Sequence, residues 1–180
     1  ATGADITFKY ETPRVYFWAV YSLGYVVRKY EDISGVVQEY NPHYDRRHNV
    51  NLVATYIFGD KRDWEVNARW NFGSGFPFTL TQGYYGLLPF NGGIYTDYST
   101  ANETLGILYA DINTGRLSPY HRLDIGIKKT FIMGRYTKIE ANASVTNMYN
   151  RENIFYTERL SGDKIYQLPI MPSAGVMFFF

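Results

Sequence analysis

Ten consecutive residues, Asp63 to Phe72, alternate between polar and apolar side chains without a break. Trp64, Val66, Ala68, Trp70 and Phe72 form one set; Asp63, Glu65, Asn67, Arg69 and Asn71 form the other. A period of two puts each set on its own face of a β-strand. A helix would place Trp64 beside Glu65 and blend the two sets, so the segment is constrained to be a strand with one polar and one apolar face.

The same pattern recurs along the chain. Val50, Leu52, Ala54, Tyr56 and Phe58 alternate with Asn49, Asn51, Val53, Thr55 and Ile57. Leu123, Ile125, Ile127 and Phe131 oppose Arg122, Asp124, Lys128 and Thr130, and Lys129 interrupts the apolar set near a strand end, where a lysine can snorkel. Thr137, Ile139, Ala141, Ala143 and Val145 oppose Lys138, Glu140, Asn142, Ser144 and Thr146. Near the start, Ile6, Phe8 and Tyr10 alternate with Asp5, Thr7, Lys9 and Glu11. A long strand is expected from Val15 to Lys29, with Ala19, Tyr21, Leu23, Tyr25 and Val27 outward and Trp18 and Val20 inward. Ile170 to Phe180 is the last strand, with Ala174, Val176, Phe178 and Phe180 on one face, giving seven strands in all.

Composition narrows the class. A net charge of +1 argues against a nucleic-acid partner, and the absence of cysteine removes disulfide frameworks and thiolate metal sites. The longest apolar run, Val15 to Tyr21, is far shorter than a helical span requires. Strands that alternate can still cross a bilayer, because their mean hydropathy stays low. The 18 Tyr, 12 Phe and 3 Trp suit an interface that is dry on one side and wet on the other. Tyr56, Phe58 and Trp64 form one aromatic level and Trp70 and Phe72 a second, one strand length away.

Connections sort by length. Short ones fall around Pro13, Asp60 and Gly134; long ones run about Glu31 to Arg47, Gly73 to His121 and Asn150 to Pro169. Short turns on one side and long loops on the other characterise outer-membrane barrels. The fold class expected is therefore all-β: an antiparallel transmembrane β-barrel wall. An odd strand count leaves the two ends on opposite sides, whereas single-chain bacterial barrels close with an even number. Residues 1–180 are thus expected to be the C-terminal segment of one larger barrel domain.

Several stretches carry a family resemblance. Tyr44-Asp45-Arg46-Arg47-His48-Asn49-Val50, Trp70-Asn71-Phe72-Gly73-Ser74-Gly75-Phe76-Pro77, Pro119-Tyr120-His121-Arg122-Leu123-Asp124 and Val145-Thr146-Asn147-Met148-Tyr149-Asn150 follow one another in order. Together with the terminal phenylalanine, they resemble the end of TonB-dependent outer-membrane receptors of the Bacteroidota type. Ser173, Gly175, Phe178 and Phe180 resemble the C-terminal signal read by the barrel-assembly machinery. The resemblance implies a barrel of about 22 strands around an N-terminal plug. It also implies import of a scarce solute with TonB-derived energy, long loops outside the cell and a periplasmic C-terminus. Plug and earlier strands would lie outside this chain, in the same or another polypeptide. The partners implied are outer-membrane lipid, those strands, the plug, TonB acting through it, and a surface lipoprotein or larger complex.

Candidate contacts follow from position. Tyr84, Tyr85, Phe90, Tyr95 and Tyr98, with Tyr109, belong to the aromatic, glycine-rich segment Thr79 to Tyr120 and could stack on a solute; self-packing of a long loop is the competing and favoured reading. Glu65, Asn67, Arg69, Arg122, Asp124, Lys128, Glu140 and Asn142, with Asn49, Asn51 and Lys138, are expected on the lumen side, toward solute or plug or in cross-strand pairs, a plug-facing or structural role being favoured over solute contact. Charge complementarity favours a last hairpin with Lys128 opposite Glu140 rather than Lys138. Tyr44 to Arg47 reads as a salt-bridged strand start. His43, His48 and His121 lack ligand spacing, no Ser/His/Asp grouping has useful spacing, and no cofactor or catalysis is expected. The alternative function is a receptor-like barrel with a structural or secretion-associated role. A soluble β-sandwich binding module is a third reading.

Overall fold

The computed structural model describes residues 1–86, 105–134, 137–159 and 161–180. Phe90, Tyr95 and Tyr98 lie outside these residues. Seven long strands form one antiparallel sheet in the order of the chain, apart from short strands within the connections. They are β1 (Thr2–Glu11), β2 (Val15–Tyr25), β5 (His48–Phe58), β6 (Trp64–Gly73), β11 (Tyr120–Ile132), β12 (Lys138–Thr146) and β15 (Met171–Phe179). Each strand pairs with its predecessor and successor; β1 and β15 pair on one side only, so the sheet is open.

Short turns join alternate strands. Thr12 accepts the Val15 amide on its hydroxyl at 2.9 Å, and its own amide donates to the Val15 carbonyl at 2.8 Å, closing the turn at Pro13. Between β5 and β6 the turn needs left-handed backbone at Gly59 (φ 89°) and Arg62 (φ 54°), and the Arg62 amide donates to the Gly59 carbonyl at 3.2 Å. Among the described residues, the long connections carry four small pairs: β3 (Arg28–Glu31) with β4 (Val37–Tyr40), β7 (Pro77–Phe78) with β10 (Gly115–Arg116), β8 (Thr81–Gly86) with β9 (Leu105–Tyr109), and β13 (Ile154–Thr157) with β14 (Lys164–Tyr166).

Register decides what each face becomes. Across the sheet run the rows Ile6–Tyr21–Val50–Phe72–His121 and Phe8–Ala19–Leu52–Trp70–Leu123. The next row is Tyr10–Phe17–Ala54–Ala68–Ile125–Val145–Pro172, and then Val15–Tyr56–Val66–Ile127–Ala143–Ala174. The alternation of each strand is thus in phase with its neighbours, and one face of the whole sheet is apolar. None of the described hydrophobic side chains is buried. Phe8, Val176 and Phe178 are each more than half exposed. Among the described residues, a sheet of this size has not buried the face that drives its formation.

Two expectations require correction. The second strand stops at Tyr25 rather than Lys29, because the Val26 amide turns to donate to the Asp45 carboxylate at 3.0 Å; Arg28 to Glu31 then belong to a separate hairpin, and Val27 leaves the outward row. Lys128 faces Asn142 rather than Glu140, whose partner across the sheet is Thr130. Lys128 finds its carboxylate on the other side, at Glu65.

The contacts divide the chain into two units: residues 1–26, 45–76 and 117–180 hold the large sheet, and residues 27–44 and 77–116 hold the hairpins β3–β4, β7–β10 and β8–β9. Within the second unit, Asp32 caps the β3–β4 turn by accepting from the Ser34 hydroxyl and from the Ser34 and Val36 amides; these bonds, the hydroxyl's first, hold its carboxyl below the usual carboxylate range. Asn113 (φ 57°) donates to the Asn41 carbonyl at 2.8 Å, tying the two parts of that unit.

Candidate functional site

The polar face of the large sheet gathers the residues expected to face the lumen. Glu65, Asn67 and Arg69 on β6, Arg122, Asp124 and Lys128 on β11, and Glu140 and Asn142 on β12 all lie on this side, by the parity of their registers. Most of its charges are already paired. Lys128 reaches Glu65 across the strands at 2.8 Å, Arg122 reaches Asp124 along its own strand at 2.8 Å, and Lys138 reaches Glu140 at 2.9 Å. Such half-exposed pairs add little stability; they leave the wall polar but nearly neutral. Arg69 is exposed, between Val53 and Asp124, and takes part in no ion pair among the described residues; Asp124 is held by Arg122.

At the end of the sheet bearing the long connections, polar groups are held rigidly. Asn147 is fully buried, at φ 54°, and uses its whole amide: Nδ2 donates to the Arg151 and Leu168 carbonyls at 2.9 and 3.0 Å, and Oδ1 accepts the Arg151 amide at 3.0 Å. Its backbone amide donates to Asp124 Oδ1 at 3.0 Å. Asn153, also buried, bridges the backbone of His121 in both directions. These bonds fix the connection after β12 against the top of β11. Nothing local marked Asn153 as buried, because its partner is the His121 backbone 32 residues away, and Asn147 joins nearby Arg151 to Leu168, 21 residues on, and Asp124, 23 residues back.

Arg46 and Arg47 separate onto opposite faces. Asp45, buried, accepts the Val26 amide and pairs with Arg47 at 3.6 Å, while the Arg47 carbonyl accepts the Gly24 amide at 2.9 Å. Arg47 lies over the Tyr25 ring at 4.6 Å. The expected salt-bridged strand start therefore holds for Asp45 and Arg47. Arg46 instead crosses to the polar face and covers Gly73, where any Cβ would collide with its guanidinium. Its charge sits 4.2 Å from the Phe76 ring centre and 6.0 Å from that of Tyr120. Burial pushes the guanidinium below its ordinary pKa, though an arginine so placed stays charged at neutral pH. Arg46 lines a recess of about 210 Å³ with Ser74, Phe76, Tyr120, Phe155 and Gln167.

The apolar face has its own order. Tyr56, Phe58 and Trp64 stack in succession, with centroids 5.8 and 5.9 Å apart, at the short-turn end. Trp70 and Phe72 stack at 5.9 Å near the other end, beside His121, whose Nδ1 meets the Tyr149 hydroxyl at 2.7 Å. His48 meets the Tyr21 hydroxyl in the same way at 2.9 Å. The histidines are thus occupied separately, His43 lying edge-on to Tyr44, and no group of three or more metal-ligating side chains comes together among the described residues.

Tyr84 and Tyr85 lie on β8, each about half exposed, and the Tyr85 ring packs across Gly106 of β9. This part of the loop packs on itself. At the C-terminus, Ser173 shares a hydroxyl contact with Ser144 at 2.7 Å and Gly175 lies against Asn142, both on the polar face. Phe178 lies on the apolar face opposite Ile139, and Phe180 extends past the strand, fully exposed.

No family model matches the chain, and no curated protein or solved structure matches it.

Proposed function

We infer that this sheet is a stretch of the wall of an outer-membrane barrel, in a TonB-dependent receptor that imports a scarce solute. One observation carries the reading: an apolar face continuous over seven strands, in phase at every register, with none of its described side chains buried. In water such a face would aggregate or recruit a second layer. In a bilayer it is the surface that lipid covers.

The aromatic levels support the same reading. Trp64 and Phe72 lie eight residues apart on β6. At ~3.4 Å per residue and a tilt of ~40°, they stand about 20 Å apart in height, close to the apolar band of a membrane barrel. Between them Val66, Ile125, Ile127, Ala143, Val145 and Ala174 line an apolar groove of about 590 Å³, a fit for an acyl chain. The polar face would then line the lumen and meet solute or plug. The long connections would lie outside the cell and β15 would end in the periplasm. The free edges of β1 and β15 would pair with further strands, since an unpaired edge cannot stand in hydrocarbon.

The test is on the full gene product. It should extract from the outer-membrane fraction only with detergent, run with heat-modifiable gel mobility, and lose solute uptake when TonB is deleted. A product soluble without detergent would sink the barrel. A heat-modifiable product with no plug encoded upstream would move the reading to a structural or secretion-associated barrel.

A further inference from the structure

Cations on the polar face are of two kinds. Arg122, Lys128 and Lys138 each hold a carboxylate within 2.9 Å. Arg69 and Arg46 hold none among the described residues; Arg69 is exposed, whereas Arg46 lines a recess without a carboxylate, and its buried Nε, like those of Arg47 and Arg151, has no hydrogen-bond partner there. The two nearest acids along the chain and strand are committed elsewhere, Asp45 to Arg47 and the Val26 amide, and Asp124 to Arg122 and the Asn147 amide.

The position of Arg46 is built. Its backbone is held on both sides by the Asp45 and Arg47 bonds to the end of β2. Beneath the guanidinium lies Gly73, where no side chain competes for the space. Phe76 is fixed because the backbone at Gly75 packs directly on the Leu117 carbonyl and the Leu117 amide donates to the Phe76 carbonyl at 2.9 Å. Ser74 stands beside it; its oxygen accepts the His48 amide at 3.0 Å, and a hydroxyl that accepts one bond can still donate another. A forked cation, a hydroxyl donor and aromatic walls match a planar anion carrying an apolar body. An aromatic cation clamp with its carboxylate missing is the arrangement expected of a binding site rather than a wall contact.

We propose that the recess around Arg46 binds the carboxylate of an imported solute, with the solute's apolar or aromatic part against Phe76, Tyr120 and Phe155. The proposal rests on the barrel-wall reading above and names the substrate class it would serve. Arg46 sits at the long-connection end of the polar face, so a solute entering from outside meets it before the paired charges lower on the wall.

The experiment uses the full receptor in detergent micelles and 4-fluorobenzoate as the probe, read by fluorine NMR line broadening. Wild type should broaden the signal in a saturable manner, and Arg46→Gln should weaken binding by about tenfold or more. Heat-modifiable mobility is measured on the same samples. If Arg46→Gln fails to assemble, Arg46→Lys keeps the charge, loses the forked donors and should still weaken binding several-fold. Equal broadening by wild type and variant overturns the proposal, as does no broadening by an assembled wild type, the result a plug side chain seated in the recess would give. Loss of heat-modifiable mobility in wild type would instead overturn the barrel itself, and this site with it.

Discussion

The Lys129 ammonium lies over the Trp64 indole, 4.4 Å from its centroid, and is drawn to the Asp63 carboxylate at the adjoining turn. Among the described residues, the one lysine on the apolar face is thus turned toward the short-turn end, with an aromatic ring beneath its ammonium. This is how a cation is tolerated at the edge of an apolar band: the methylenes stay dry and the charge reaches the interface.

The Asp63 carboxyl is held below its usual range, first by the hydrogen bond from Lys129. A depressed carboxyl contributes stability that is complete above its unfolded value, near 3.8, and is lost as pH falls through the lower folded value. Asp63→Asn should therefore remove that contribution at neutral pH, cost nothing once the wild-type carboxyl is protonated, and so flatten the acid limb of the stability profile below about pH 4. Unfolding midpoints measured from pH 2 to 7 check this; a steeper acid limb in the variant would contradict it.

Ala68 and Asn67 are neighbours on opposite faces, Ala68 between Ala54 and Ile125, Asn67 between Thr55 and Gly126. Ala68→Arg should cost about 2 to 4 kcal/mol of folding free energy in lipid vesicles, because the charge lands near the middle of the apolar band. Asn67→Arg should cost much less. Equal losses would mean that the two faces have been assigned the wrong surroundings.

Asn147→Ala removes three hydrogen bonds from a fully buried amide and places alanine at positive φ. The Arg151 and Leu168 carbonyls lose their partner, and the expected cost is about 2 to 4 kcal/mol. The connection after β12 should become protease-sensitive while the seven-strand sheet persists. Unchanged proteolysis between Met148 and Pro169 would show that the amide is not what holds this segment.

Gly75→Ala and Gly73→Ala should differ, although each residue lacks room for a Cβ. At Gly75 the obstacle is the Leu117 backbone carbonyl, which cannot yield locally; at Gly73 it is the Arg46 guanidinium, the far end of a flexible side chain. Gly75→Ala should destabilise by about 1 to 3 kcal/mol and speed hydrogen exchange at the Leu117 amide. Gly73→Ala should be milder in stability, displacing Arg46 instead. Similar effects in both would mean that the strand ends flex more than their backbone bonds imply.

Much of the sheet was legible from residue order. Seven strands, their two faces and the sorting of short and long connections all follow from the alternation around Trp64, Leu52 and Ile125 and from the spacing of turns. Arg46 shows where that reading stops. Continuing the period of β5 backward from Val50 and His48 would put Arg46 on the apolar face, yet the chain bends before His48 and sets the guanidinium over Gly73 on the polar one. Lys128 shows the same limit: its neighbours Glu65 and Asn142 come from two different strands, and hairpin charge matching alone chose the wrong one.

The sequence by itself determined which side chains share a face, because a period of two is a property of adjacent residues and needs no partner. Only the tertiary structure decided which residues stand side by side across strands, which amides are buried and that Arg46 lines a recess without a carboxylate. Those outcomes depend on register, and register brings together groups tens of residues apart that carry no local mark of one another.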